Sequence, residues 1–136
     1  MSDDIFVDSW FFIATLVQRD PWAQRATQLA REVAARSLVT TDEVLVEVLG
    51  FCSEGGAAVR ASGVRLVSRL LAGEGVRVES QSRESLLAGL DLYGQRPDKG
   101  YSLVDCISMV TMRRLGITEV LTGDRHFAQE GFVTLF

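Results

Sequence analysis

The sequence holds few of the residues that build metal clips, rigid turns or disulfides: two cysteines, two prolines and one histidine among 136 residues. Cys52 and Cys106 lie inside apolar helical patterns without metal-ligand spacing. This argues against a structural zinc site and predicts that both thiols are core residues in a reducing compartment. Pro21 and Pro97 fall between periodic segments, so we expect both in loops.

Long hydrophobic runs are also missing. The longest apolar stretch, WFFIATLV at 10–17, is far shorter than the roughly 20 residues that span a bilayer. The amino-terminal sequence MSDDIF is acidic, whereas a signal peptide begins with basic residues. We therefore expect a cytoplasmic protein that does not enter a membrane.

Positive charge is scarce as well. The net charge of −4 and the pI near 5.0 argue against a protein that coats nucleic acid through bulk electrostatics. Of the 14 basic residues only Lys99 is a lysine and the others are arginines. Arginine suits phosphate recognition, but an arginine-biased genome gives the same composition, and we favour the genomic explanation.

What the sequence does contain is an alternation of short apolar segments with helical patterns, at a length typical of one domain, residues 1–136. The predicted strands are 4–8, 37–40, 76–79, 119–123 and 132–136. The predicted helices are 9–20, 22–36, 41–52, 60–75, 83–94 and 102–115, with a short helical turn before the last strand. Ser9 and Thr41 are predicted helix caps, and Gly116 a helix stop. The pattern predicts an α/β fold: a central parallel sheet of about five strands with helices on both faces.

Four acidic residues stand where ligands bind in such folds, outside the carboxyl ends of the strands. Asp8 ends the first strand, Asp124 follows the fourth, Glu47 lies in the helix after the second, and Asp105 begins the helix before the fourth. Without a counter-charge these carboxylates would repel one another. A hard divalent cation would explain the cluster, because Mg²⁺ and Mn²⁺ prefer carboxylate oxygens.

Each of these residues also has a structural explanation. Asp105, three residues after Ser102, fits a capping box, and Asp8 and Asp124 fit helix N-caps. Glu47 needs a partner on an apolar helix side, which an arginine could provide.

Other residues near these acids also have structural explanations. His126, the only histidine, is interpreted as structural in preference to substrate-binding. The aromatic run Trp10, Phe11 and Phe12 is interpreted as core in preference to a base-stacking platform.

With these positions identified, the sequence resembles the PIN-domain nucleases, and most closely the VapC-type toxins of bacterial and archaeal toxin–antitoxin pairs. The resemblance extends over nearly the whole chain and rests on FVDSWFFIA, VTTDEVLVEVL and YSLVDCISMVTMRRLGITEVLTGDRHFAQEGF. The last segment is the most specific, with an aspartate early in a helix, a glycine, a strand and D-x-x-F.

The resemblance implies a ribonuclease whose acidic quartet binds Mg²⁺ or Mn²⁺ and hydrolyses RNA by a metal-activated water, without a covalent intermediate. The quartet would be Asp8, Glu47, Asp105 and Asp124. Ser9, Ser102 and Thr122 match positions where the family often has a hydroxyl near the metal site. Asp42 and Glu43 precede the position of the family's glutamate, so Glu47 is preferred. Gly123 replaces a residue that is frequently bulkier in relatives.

The resemblance also implies partners: an RNA substrate, a small antitoxin protein and a second copy of the chain in a homodimer. Two other roles stay open, a PIN-domain nuclease of RNA processing without a toxin role, and a non-catalytic PIN-like binding module. A phosphatase of the haloacid dehalogenase type is disfavoured, because it needs a second aspartate two residues after the first and Trp10 stands there.

Overall fold

The structure is a computed structural model that describes residues 2–17 and 21–136. The strands are β1 (Ile5–Val7), β2 (Leu38–Thr41), β3 (Arg77–Glu79), β4 (Glu119–Leu121) and β5 (Val133–Leu135). The helices are α1 (Ser9–Leu16), α2 (Ala23–Glu32), α3 (Asp42–Cys52), α4 (Ala57–Leu71), α5 (Arg83–Gln95), α6 (Leu103–Leu115) and α7 (Arg125–Gln129). None of these helices is both long enough and apolar enough to cross a membrane.

The five strands form one parallel sheet in the order β3-β2-β1-β4-β5, which confirms the predicted α/β fold. All three residues of β1 are fully buried. Because successive side chains of a strand point to opposite faces, both faces of the sheet are covered at its centre. The chain builds outward from β1 to β3 on one side and then from β4 to β5 on the other. The order therefore reverses between β1 and β4, where ligands bind in such sheets.

Several predicted boundaries differ from the observed ones. Helix α1 ends at Leu16, and positions 18–20 of the predicted helix lie outside the described residues. Ser9 is not the cap of this helix, because Asp8 occupies the N-cap position and Ser9 is the first helical residue. Helix α4 starts at Ala57, after Gly56 with a positive φ of 88°, and not at residue 60.

The other predicted caps are confirmed. The Thr41 hydroxyl accepts a hydrogen bond from the Val44 amide at 3.2 Å, which fixes the start of α3 directly after β2. Gly116 ends α6 with φ 71° and ψ 24°, a left-handed conformation that glycine adopts without a steric penalty. Both cysteines are free and buried, as the sequence predicted. Thr41 thus places the first turn of α3 directly after β2, and Gly116 ends α6 shortly before β4.

Candidate active site

Asp8 lies directly after β1, at the point where the strand order reverses. Asp8 occupies the N-cap position of α1, but its side chain is almost fully buried and makes no capping hydrogen bond, so capping does not explain its carboxylate. One oxygen, Oδ2, accepts a hydrogen bond from the Thr122 hydroxyl at 2.9 Å. The other, Oδ1, has no partner among the described residues. Burial, together with the nearby charges of Asp105 and Glu47, raises the pKa of Asp8 to about 7, against the lowering effect of the Thr122 hydrogen bond.

Glu47 lies in α3, on the side of the helix that meets α1. Its carboxylate accepts a hydrogen bond from the Ser9 hydroxyl. The partner is thus a hydroxyl group of the first turn of α1 and not an arginine. Burial raises the pKa of Glu47, as do the charges of Asp105 and Asp124, while the Ser9 bond lowers it.

Asp105 forms the predicted capping box at the start of α6. Its Oδ2 accepts a hydrogen bond from the Ser102 amide at 2.9 Å, and its own amide donates to the Ser102 hydroxyl at 3.0 Å. The carboxylate is nevertheless buried, and burial followed by the charge of Asp124 raises its pKa. Capping therefore explains one oxygen of Asp105 but not its position beside other acids.

Asp124 follows β4 and caps the short helix α7, since its Oδ1 accepts a hydrogen bond from the His126 amide at 2.9 Å. Its own amide donates to the Thr122 hydroxyl at 3.0 Å. Thr122 thus contacts both Asp8 and Asp124. A single hydroxyl group is therefore hydrogen-bonded to residues that follow two neighbouring strands, β1 and β4.

His126 joins this group, which the sequence did not predict. Its Nδ1 atom lies 3.2 Å from Oδ1 of Asp124 and 3.4 Å from Oδ2 of Asp105, without the geometry of a hydrogen bond to either. One ligand atom from each of the three residues lies within 4.8 Å of the others, close enough to hold a metal ion. The spacing D-x-H was the only available signal, and it does not show which way a ring in a turn will point.

The arrangement is chemically suited to a divalent cation. Carboxylates that raise one another's pKa are unfavourable neighbours unless a positive charge offsets them. Oδ1 of Asp8 and Nδ1 of His126 are both buried and without a hydrogen-bond partner among the described residues, and both atom types are metal ligands. The neighbouring Asp42 is engaged elsewhere, because its Oδ2 accepts a hydrogen bond from the Gln81 amide at 2.8 Å.

The aromatic run of α1 is divided between the core and this site. Phe11 and Phe12 are core residues, as predicted, but Trp10 is only partly buried, so its assignment to the core was wrong. Its ring packs directly against Gly123. A Cβ atom at position 123 would lie 2.6–2.9 Å from three ring atoms of Trp10, closer than such atoms approach. A side chain at position 123 would therefore displace the Trp10 ring.

The family model described as PIN domain matches residues 5–132 of this sequence. A search of curated proteins by sequence found no significant match.

Solved structures with a similar fold include a Mycobacterium tuberculosis protein described as VapC20, a Sarcin-Ricin loop cleaving toxin. It has a TM-score of 0.83 and 24% identity, over 95% of this chain and 96% of that chain. A DNA-bound VapBC structure from Salmonella typhimurium has a TM-score of 0.67 and 13% identity, over 99% and 98% of the two chains. PAE2754 from Pyrobaculum aerophilum has a TM-score of 0.61 and 15% identity, over 98% of this chain and 90% of that chain.

Proposed function

Because this chain belongs to the PIN domain family, we propose that it is a ribonuclease that hydrolyses RNA phosphodiester bonds with Mg²⁺ or Mn²⁺. The observation that supports this most directly is the buried Oδ1 atom of Asp8, which has no hydrogen-bond partner in the described part of the chain and lies near three other carboxylates whose charges act on one another. A buried carboxylate oxygen without a donor is costly in a protein without a bound cation, and it is a ready ligand for one.

Asp8, Glu47, Asp105 and Asp124 would hold the cation, with His126 beside the last two. When bound, the ion supplies an activated water and offsets the charge of the phosphodiester. Thr122 donates to Oδ2 of Asp8 and thereby leaves Oδ1 to bind the cation, and the Ser9 hydroxyl holds the carboxylate of Glu47.

The exposed Arg125 follows Asp124 at the start of α7. Its position next to the carboxylates suits contact with a phosphate of the RNA backbone. This local positive charge would help an acidic protein to bind a polyanion.

Cleavage of RNA in Mg²⁺, in Mn²⁺ and in chelator tests the activity. The substrates are a synthetic sarcin–ricin loop RNA, chosen because a protein of similar fold is described as cleaving it, and an unstructured RNA. We expect cleavage that chelator abolishes and that Asp8→Asn removes. Asp42→Asn is the matched control, because it removes a nearby carboxylate charge outside the cluster and should cleave normally. Cleavage that survives both chelator and Asp8→Asn in preparations free of other ribonucleases would reject the site.

We further propose that the enzyme is the toxin of a toxin–antitoxin pair. The early helices expose apolar side chains that a small antitoxin could cover: Val46 (65% exposed) on α3, and Val64 (56%) and Leu71 (60%) on α4. Expression of the chain alone should arrest growth, and a co-expressed antitoxin should relieve the arrest. Harmless expression of an enzyme that cleaves RNA would instead favour a role in RNA processing.

A homodimer is the second proposed assembly. Helix α5 exposes Leu87, Leu90 and Tyr93, which share one helix face at intervals of three residues. Two variants separate the two surfaces. We expect Val64→Asp to weaken binding of the antitoxin without changing the mass of the free protein in solution. Leu90→Asp should instead lower that mass from homodimer to monomer and leave binding of the antitoxin unchanged. Equal effects of both variants on both measurements would contradict this division.

A further inference from the structure

A cavity lies directly beside the carboxylate cluster. It has a volume of about 310 Å³, and its walls include the aromatic rings of Trp10, Trp22 and Phe136 together with Asp124 and Arg125. We refer to this cavity as the aromatic pocket. Asp124 belongs both to the aromatic pocket and to the carboxylate cluster, so a molecule in the pocket would lie next to the proposed site of cleavage.

The three aromatic rings contact one another. Trp10 meets Phe136 edge to face with ring centroids 3.8 Å apart, and Trp22 lies 5.6 Å from Trp10 and 5.5 Å from Phe136. The packing of Trp10 against Gly123 fixes one wall of the pocket. Trp22, by contrast, is 50% exposed, unlike an aromatic residue of the core. A supported ring that keeps half of its surface in solvent offers a rigid face for stacking.

We propose that the aromatic pocket holds one nucleobase of single-stranded RNA, in the nucleotide next to the scissile phosphate. This inference rests on the proposed ribonuclease function and adds a binding site for the base. Every nucleobase has a flat face that stacks on aromatic side chains, and proteins bind single strands by pairing such rings with positive groups for the backbone. Trp22 supplies the stacking surface, and Arg125 supplies the charge between the aromatic pocket and the carboxylates.

The neighbourhood of the pocket favours RNA over a protein segment as the occupant. A polypeptide here could bring a basic side chain to the carboxylate cluster that shares Asp124, but it would bring no phosphate for a bound cation to act on. A nucleotide, by contrast, carries its base and its phosphate at a short fixed separation, as the pocket and the cluster require. The hydroxyl of Thr134 also lines the pocket and can bond to a base edge. The pocket would thus influence which nucleotide adjoins the cut.

Binding is tested first in a form that cannot cleave. Short oligoadenylate, oligocytidylate and oligouridylate RNAs with a fluorescent label are titrated into Asp8→Asn, and the anisotropy is measured. Adding Trp22→Ala should weaken binding about five- to 150-fold, the range that corresponds to loss of one stacking ring. Trp22→Phe should restore most of the affinity. Phe51→Ala is the matched control, since Phe51 is also a half-exposed aromatic residue (48%) but lies near the carboxyl end of α3, and this variant should bind as tightly as the parent.

Cleavage gives the second measurement. A pool of single-stranded RNA with randomised sequence is cut by otherwise wild-type enzyme, and the new ends are sequenced. Trp22→Ala should reduce the base preference at one position beside the cut and leave the preferences elsewhere unchanged. An abasic nucleotide at that position should lower kcat/KM in wild type but have little further effect in Trp22→Ala.

The outcomes separate this inference from the proposed function. If wild type binds RNA through Trp22 but does not cleave it, the ribonuclease function is rejected and the aromatic pocket remains a binding site for a base. Metal-dependent cleavage with the same affinity and base preference in Trp22→Ala would keep the ribonuclease and overturn the pocket. If Trp22→Ala weakened only the binding of an antitoxin, the pocket would be a protein-docking site, and the proposal would again be overturned.

Discussion

The Thr122 hydroxyl donates a hydrogen bond to Asp8 across 114 positions of sequence, at 2.9 Å and fully buried. The same oxygen accepts from the Asp124 amide. Thr122→Val keeps the shape of the side chain but removes the hydroxyl, and leaves Oδ2 of Asp8 without its donor. We expect a loss of about 1–3 kcal/mol in the free energy of unfolding, measured in chelator, and weaker binding of Mn²⁺ by calorimetry. Thr122→Ser retains the hydroxyl and should lose much less stability and much less Mn²⁺ affinity. If Thr122→Ser lost as much as Thr122→Val, the methyl group of Thr122 would matter and not its hydrogen bond.

The raised pKa of Asp8 predicts a pH dependence of stability in the absence of metal. The pKa is 3.8 in a model peptide and about 7 in the folded protein, so the folded state binds more protons between these values. The free energy of unfolding should therefore fall as pH rises from about 4 to about 7, by at most roughly 4 kcal/mol for this group. In Asp8→Asn this part of the slope should disappear. Denaturant titrations in chelator measure this slope. Asp98→Asn, which removes an exposed carboxylate, is the control. A slope that is the same in wild type and Asp8→Asn would contradict the assignment.

Asp105 has two roles that mutation can separate. Ser102→Ala removes the capping hydroxyl but keeps the carboxylate, and should cost about 1 kcal/mol of stability with or without metal. Asp105→Asn can still accept from the Ser102 amide but removes a charge. It should be as stable as wild type in chelator or more so, because the repulsion between carboxylates falls. Added Mn²⁺ should raise the melting temperature of wild type and of Ser102→Ala. The increase should be much smaller for Asp105→Asn. A full metal response in Asp105→Asn would leave this residue a helix cap alone.

The contact between His126 and the two aspartates predicts an effect on the choice of metal. Imidazole nitrogen suits transition metals, whereas Mg²⁺ prefers oxygen ligands. His126→Ala should therefore reduce the affinity for Mn²⁺ more than that for Mg²⁺ in calorimetric titrations. Equal reductions would indicate that His126 acts by orienting Asp124 and not as a ligand.

The close approach of Gly123 to Trp10 predicts coupled mutations. Gly123→Ala places a methyl group against the Trp10 ring and should cost about 1–3 kcal/mol of stability. Trp10→Phe removes the ring atoms that would clash. The double variant should consequently be more stable than the sum of the two single effects implies, which denaturant unfolding of all four proteins measures. Additive effects would show that the Trp10 ring does not set the cost of a side chain at position 123.

The sequence predicted the fold well, because β1 is a short apolar run buried on both faces and the helix signals at Thr41 and Gly116 are local. It also placed the four acids at one edge of the sheet, since in a parallel sheet the carboxyl ends of the strands share an edge. Their role as metal ligands is still a prediction.

Details that depend on side-chain direction were not predictable. Ser9 looked like a helix cap, but its hydroxyl turns toward Glu47 in a helix 38 positions away. His126 and Trp10 reach the site only because the turn after β4 and the packing of α1 orient their rings. These orientations result from tertiary packing, which the spacing of residues in the sequence does not encode.

The position of β1 in the middle of the sheet delays assembly of the cleft during synthesis. β1 can pair with β2 early, but its second neighbour, β4, consists of residues 119–121. A nascent chain that stops before residue 122 lacks both the hydroxyl that orients Asp8 and the acid that follows β4. An enzyme that attacks RNA would thus be inert while it is being translated, beside the RNA of the ribosome itself, and would become competent only after residue 124 had emerged and the sheet had closed on both sides of its first strand.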